Sequence, residues 1–241
     1  MDGFQLHSGI PHLDPLVPGE VHIFFSLMGE SLQRNNSQLL LSQDEKERLK
    51  MYRTNGKRNE FLFGRLLMRK LLGEMMDVSP KTVPIAINEH RRPYLKGHQL
   101  HFNLSHSFGG FAFIASVAHE VGIDIEYRKR SISLEDGRHV FMPAEKSSMA
   151  AKEAAVAKDE FLHRWTLKEA IYKSANVGPQ LLFNEFELKL SPLSLHSHSL
   201  LLEEEGWELG HAYPHPDYLL AFAFQNPAAT PLSIHFHQIL L

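Results

Sequence analysis

Two carboxylates, Asp124 and Glu126, are set between apolar residues in Val121-Gly122-Ile123-Asp124-Ile125-Glu126. On a β-strand this alternation sends Asp124 and Glu126 to one face and Ile123 and Ile125 to the other. Neighbouring carboxylates repel unless a cation lies between them. Oxygen ligands with no cysteine nearby suit a hard ion such as Mg²⁺. The plainer reading is a half-buried strand with a wet acidic face, because such strands alternate anyway. A second set lies in residues 161–173, where Trp165, Glu169 and Lys173 stand at i, i+4 and i+8 and share one face of a helix. Alone, this is an exposed Glu–Lys pair worth about 0.3 kcal/mol. If that face meets Asp124 and Glu126, Glu169 becomes a third ligand or a base, and Lys173 a cation for an anionic substrate.

Three further groups carry polar chemistry. Phe102-Asn103-Leu104-Ser105-His106-Ser107 places donors at the end of a strand and the start of a loop. There His106 can bind a phosphate or move a proton, or the Asn and Ser side chains simply brace a turn. Arg91-Arg92-Pro93 is either a phosphate clamp or a solvated turn. His196 and His198 lack a third ligand at a recognisable spacing, which argues against a metal site there.

The elements that must position these residues follow from pattern and punctuation. Residues 1–20, with Pro11, Pro15, Pro18 and Gly19, read as irregular. Val21–Leu27 reads as a strand. Ser42 with Glu45 three residues later forms a capping box that opens a helix ending near Asn55-Gly56. A second helix, about Lys57 to Gly73, repeats Phe61, Leu62 and Leu66 at helical spacing, with Arg58, Arg65 and Arg69 on a polar side read as solvated. Ile85–Ile87 and Phe111–Val117 read as strands. In the second half, one helix opens at Pro143 and continues through Ala157. Another runs from about Asp159 to Ala175 and stops at Gly178-Pro179. Antiparallel strands follow at Phe186–Leu190, Leu200–Leu202, Trp207–Leu209 and Tyr218–Phe224, with a final strand at Leu232–Phe236. Helices plus short strands thus occur twice, an α+β pattern, with a lobe boundary near His119 that divides the chain into 1–118 and 119–241.

With 241 residues the chain can bury a real core in one large or two small domains. A net charge of −3 gives no global reason to expect nucleic-acid binding, so any basic site is local. The absence of cysteine excludes disulfides, thiolate metal sites and a thiol nucleophile. The first residues, Met1 to His7, lack a basic segment followed by an apolar core, and no apolar run approaches the roughly 20 residues that span a bilayer. Neither a signal peptide nor a membrane segment is therefore expected, and a cytoplasmic location is.

Taken together, Asp124-x-Glu126, then Trp165-x-x-Lys168-Glu169-Ala170-x-x-Lys173, preceded by Phe102 to Ser107, resemble the 4′-phosphopantetheinyl transferase superfamily, in its larger, Sfp-type branch. The resemblance spans about residues 42–190 and includes Asp44 to Arg48 and Phe61 to Arg65. It implies two similar α+β lobes in a pseudo-twofold arrangement, with the active site in the inter-lobe cleft and the protein a monomer. It implies transfer of the phosphopantetheine arm of coenzyme A to a serine of an apo acyl or peptidyl carrier protein, releasing adenosine 3′,5′-bisphosphate. By the same resemblance Asp124, Glu126 and Glu169 hold Mg²⁺ or Mn²⁺. Glu169 is also a candidate base, and Lys173 contacts the diphosphate and can protonate the leaving group. Ser105 and His106 lie at the coenzyme A phosphates, Arg48 and Arg92 at the adenosine-phosphate end, and His106 joins the catalytic set. Two positions depart from the pattern. Arg91-Arg92-Pro93 replaces Gly-Lys-Pro, and Phe108 replaces the glycine after the Ser-His-Ser run. Competing readings are a non-catalytic coenzyme A or carrier-protein binder and an unrelated Mg²⁺-dependent phosphohydrolase. Fatty-acid, polyketide and nonribosomal-peptide carriers all remain open as partners.

Overall fold

The structure is a computed structural model that describes residues 3–29 and 38–241. Met1 and Asp2, part of the stretch read for a signal peptide, lie outside the described residues. A five-stranded sheet has the order β1 (Phe4–Ser8), β12 (Ser233–Leu240), β2 (Glu20–Leu27), β6 (Gly110–Ser116), β5 (His101–Ser107). A three-stranded sheet has the order β10 (Trp207–His215), β11 (Tyr218–Gln225), β7 (Val121–Tyr127). Two small hairpins pair β3 (Ile85–Ile87) with β4 (Pro93–Leu95), and β8 (Phe186–Leu190) with β9 (Leu193–Ser197). The α-helices are α1 (Gln43–Met51), α2 (Asn55–Met75), α3 (Pro143–Ala150) and α4 (Ala154–Ala175). The class is α+β, as read from the sequence.

The second half repeats the order of the first. One runs β2, α1, α2, the β3–β4 hairpin, β5, β6. The other runs β7, α3, α4, the β8–β9 hairpin, β10, β11. In each half the opening strand pairs antiparallel with the last, and the last with the one before it. The final strand, β12, departs from this repeat by inserting parallel between β1 and β2.

Alternation along the strands builds four layers. Phe24 and Phe113 face α2 with Phe63, Leu67 and Leu71. Ile23, Phe25 and Ile114 face the other way and meet Ile123, Ile125, Leu220 and Phe222, so the two sheets pack face to face. Ala221 and Ala223 face α4 with Leu167, Ala170 and Ile171. Strands β2, β6 and β11 are covered on both sides, which is why they read as continuous apolar runs.

Several local expectations are corrected. Residues 4–8 are a strand, not irregular. β1 is a half-exposed edge strand whose polar Gln5 and His7 dilute the apolar signal. The helix opened at Pro143 stops at Ala150, and Ala154 already belongs to α4. Residues 150–157 are good helix formers, so the break comes from tertiary packing that docks Phe141 and Met149 onto Ala157 and Phe161. The strand placed at Leu200–Leu202 lies instead at Leu193–Ser197. Helix α4 ends on Asn176 in the left-handed conformation (φ 53°), ahead of Gly178. Arg69 is not on a solvated face. It is 2% exposed, donates to Glu45 at 2.8 Å and to Pro80 O at 3.1 Å, and fastens α2 to α1 and the following loop.

Candidate active site

Asp124 and Glu126 lie on β7 on the side opposite Ile123 and Ile125, as the alternation requires. Gly122 shares their face, and a Cβ there would come within 1.9 Å of Ala170 O. Only glycine lets α4 approach β7 this closely. That approach brings Glu169 and Lys173, one turn apart, over the two carboxylates. Lys173 Nζ donates to Asp124 Oδ1 at 2.7 Å, to Ser105 Oγ at 3.2 Å and to Ile123 O at 3.3 Å, and stands 3.8 Å from Glu169 Oε2. The structure therefore joins Asp124, Glu126, Glu169, Lys173 and Ser105 in one cluster.

Residues 103–107 lie wholly in β5 rather than in a loop. β5 and β7 are edges of different sheets and are bridged by side chains. Ser105 Oγ donates to Asp124 Oδ1 at 2.7 Å, Ser107 Oγ donates to Glu126 Oε2 at 3.0 Å, and Ile123 N donates to Asn103 Oδ1 at 3.1 Å. Alternation turns His106 the other way. Its ring stacks on Phe111 at 5.2 Å, and burial lowers its pKa. His106 makes no direct contact with the carboxylate cluster in this arrangement.

In the cluster three carboxylates meet two cations, Lys173 and Arg130. Burial raises the pKa of Glu126, and Asp124 adds to the rise, against Arg130 and Ser107. Burial also raises Glu169, which Lys173 opposes and the two β7 carboxylates reinforce. Burial disfavours the Lys173 ammonium, but Asp124 and Glu169 outweigh it and hold its pKa above the ordinary lysine value. Arg130, which the sequence reading left in a stretch of irregular charge, pairs with Glu126 at 2.6 Å and lies over Trp165 at 5.9 Å. Nothing in local spacing pointed to it beyond its i+4 distance from Glu126.

Arg92 does not present a free guanidinium to a phosphate. It donates to Lys173 O at 2.6 Å and Val121 O at 3.0 Å, and pairs with Glu120 at 3.1 Å. From the β3–β4 hairpin it ties the end of α4 to the start of β7. Arg48 is exposed on α1, 5.8 Å from the Phe61 ring, and is not brought to the carboxylates. Lys168 is fully buried. It pairs with Glu145 at 3.0 Å, donates to Phe183 O and Phe186 O, and has its pKa pushed by burial to about 8. A cavity of about 250 Å³ borders Lys173, with His90, Arg91, Tyr172 and Asn176 in its wall. His90 and Arg91 sit beside the expected arginine but were not singled out from sequence.

The donor set fits a hard divalent cation in type, with three carboxylates and no sulfur. Asp124 Oδ2 is buried with no hydrogen-bond partner, the kind of oxygen a cation would satisfy. Among the described residues no three His, Asp or Glu side chains already converge at metal-bonding distance. Lys173 and Arg130 supply the compensating charge instead. No described helix is long and apolar enough to cross a membrane.

The chain is similar to known proteins over most of its length. Residues 120–223 match the profile of the 4′-phosphopantetheinyl transferase superfamily, and residues 31–119 match that of the 4′-phosphopantetheinyl transferase N-terminal region. A 4′-phosphopantetheinyl transferase of Bacillus subtilis is 28% identical over 62% of this chain and 66% of its own length. The 4′-phosphopantetheinyl transferase HetI of Nostoc is 27% identical over 92% of this chain and 94% of its own. The human L-aminoadipate-semialdehyde dehydrogenase-phosphopantetheinyl transferase is 26% identical over 78% of this chain and 68% of its own.

Proposed function

The chain belongs to the 4′-phosphopantetheinyl transferase superfamily, in its larger branch, and on that premise we propose that it transfers 4′-phosphopantetheine from coenzyme A to a serine of an apo carrier protein. Adenosine 3′,5′-bisphosphate is the other product. The observation that carries the reading is the meeting of Asp124, Glu126, Glu169 and Lys173 at the junction of β7 and α4.

Asp124, Glu126 and Glu169 would hold Mg²⁺ or Mn²⁺. A divalent cation bound there supplies positive charge to the diphosphate and to the phosphate that leaves. The chain's own residues do the rest. Glu169 accepts the serine proton, directly or through water. Lys173 stands where charge develops on the leaving phosphate and can protonate it. Ser105 holds Asp124 in place through its 2.7 Å hydrogen bond. Little covalent help is needed, because phosphoryl transfer rests mainly on positioning and electrostatics.

Arg92 acts as a positioning residue, since its guanidinium is spent on Lys173 O, Val121 O and Glu120. The anionic end of coenzyme A then meets His90, Arg91 and Lys173 at the neighbouring cavity, whose basic wall suits it. His106, on the face of β5 turned toward α2, and Arg48, on α1, contact coenzyme A phosphates. Residues 1–118 and 119–241 form the two lobes, with β12 crossing back, and the protein acts as a monomer in the cytoplasm. The binder alternative is not favoured, because all three carboxylates and Lys173 are present and gathered.

Purified protein, coenzyme A and Mg²⁺ are incubated with a panel of apo carriers, and each carrier is weighed by mass spectrometry. A gain of one phosphopantetheinyl group on at least one carrier is expected. No gain on any carrier, with a known transferase active on the same panel, refutes the activity. Phosphate release without a carrier would point to a hydrolase.

A further inference from the structure

Strands β5 and β6 are joined by the two-residue turn Phe108-Gly109, since Ser107 pairs with Gly110. Both turn residues have positive φ, 46° at Phe108 and 83° at Gly109. Two-residue hairpin turns of this kind favour Asn, Asp or Gly at the first position, because a Cβ crowds the backbone in the left-handed region. Phe108 puts a large side chain there, and its ring does little for the fold. It is 66% exposed and stacks on Tyr127 with centroids 5.2 Å apart. The turn is fastened through its backbone instead. Phe108 O accepts from Tyr218 Oη at 2.7 Å, and Gly109 O accepts from Met28 N at 2.8 Å. Those bonds do not need the ring.

Phe108 and Tyr127 are the next residues beyond the carboxylate cluster along two neighbouring strands. Ser107 Oγ donates to Glu126 Oε2 and accepts from Tyr127 N at 3.3 Å. The cavity read as the coenzyme A end lies at the other end of these strands, with Asn103, Lys173, His90 and Arg91 in its wall. At about 3.3 Å per residue, Phe108 stands roughly 16 Å from Asn103 along β5. The cations at the Glu126 end, Arg128, Lys129 and Arg130, are each paired with a carboxylate of this chain, so that end is not built for phosphate. Two substrates must meet over the cluster. A donor seated at the Asn103 end leaves the Glu126 end to the acceptor.

Alternation turns Tyr127 away from Glu126 and onto the packing between the sheets. The aromatic pair therefore borders the cluster without lining it, which suits contact with the surface around a serine rather than with the serine itself. The ring stands on a turn, where a folded partner can reach it. A phenyl ring has no hydrogen-bonding group and gains most by covering apolar surface, and aromatic residues are enriched at the centres of protein interfaces. Resting on the transferase reading, we propose that Phe108, stacked on Tyr127, is a specificity-determining residue for the carrier protein, its ring covering an apolar side chain of the carrier beside the accepting serine.

The test uses the full chain and a carrier that the wild-type protein modifies, with carrier and coenzyme A varied in turn. Phe108→Gly should raise KM for the carrier about tenfold, the effect of losing one interface anchor. It should leave kcat and KM for coenzyme A within about twofold. Its Tm should equal that of wild type or exceed it, because glycine takes the left-handed turn without strain. Phe108→Tyr keeps the ring and should hold KM for the carrier within about twofold of wild type. A carrier whose apolar residue nearest the serine is changed to Asp should show a raised KM with wild type and a much smaller rise with Phe108→Gly, the non-additivity of two groups in contact. An unchanged carrier KM in Phe108→Gly overturns the inference. So does a rise confined to KM for coenzyme A, which assigns the ring to the donor, or a joint fall in Tm and kcat, which makes the ring structural. Failure of wild type to modify any carrier refutes the transferase reading, and this inference with it.

Discussion

Lys173 touches Asp124, Ser105 and a backbone carbonyl at once, so its side chain is both a charge and a brace. Replacing it with alanine should lower kcat for carrier modification by about 10²–10³-fold, the cost of losing one preorganised donor at a developing charge. The measurement is the rate of carrier mass gain at saturating coenzyme A. Asp124→Asn keeps the shape and removes the charge, and transfer should fall below detection while circular dichroism stays native. EDTA should abolish transfer, and added Mg²⁺ or Mn²⁺ should restore it. Retained activity in the chelated, metal-free protein would remove the metal from the reading. At this scale the sequence was informative. That Asp124 shares a face with Glu126, and Glu169 with Lys173, was legible because strand and helix periods dictate it. Where the Arg92 guanidinium and the His106 ring would sit was not, because their surroundings depend on where the neighbouring elements lie. Arg130 was hidden for the same reason.

Between elements, the closest contact in the site is that of α4 on β7 at Gly122. Gly122→Ala would drive a methyl group into Ala170 O, and backbone can yield only by moving α4. A cost of about 3 kcal/mol is expected, at the upper end of overpacking penalties, together with loss of transfer as Glu169 and Lys173 shift. A urea titration and the carrier assay report the two effects. Lys168 makes a contrasting case. Lys168→Met removes the nearer of the two cations paired with buried Glu145, leaving Arg164 at 3.4 Å, and the donor to Phe183 O and Phe186 O. It should cost about 3 kcal/mol, a fall in Tm of about 6–12 °C, while the residual folded enzyme keeps its kcat. The strands with a strong apolar signal, β2, β6, β7 and β11, were all readable. The α3–α4 break was not, because residues 150–157 favour helix throughout and only the docking of Phe141 and Met149 interrupts it.

In the whole molecule, β-α-α-hairpin-β-β is repeated as a topology. That is why two α+β halves were legible while their face-to-face sheet packing was not. Ile23, Phe25, Ile123 and Ile125 announce burial but not against what. The insertion of β12 between β1 and β2 makes a prediction at this scale. Deleting residues 233–241 strips β2 of a neighbour and leaves β1 with no partner. The truncated chain should lose its cooperative thermal transition and become soluble only poorly, as judged by scanning calorimetry and sedimentation. A truncated protein that melts like the full chain would contradict the role given to β12.

The position of β12 also bears on how the protein is made. A ribosome delivers β2 some two hundred residues before it delivers β12. Throughout that interval β2 exposes an open hydrogen-bonding edge, the feature that invites pairing with foreign strands. Domains commonly fold as units while synthesis proceeds, but here the first sheet cannot close until residues 233–240 have been translated. The nascent chain therefore carries that edge unprotected while some two hundred residues are added.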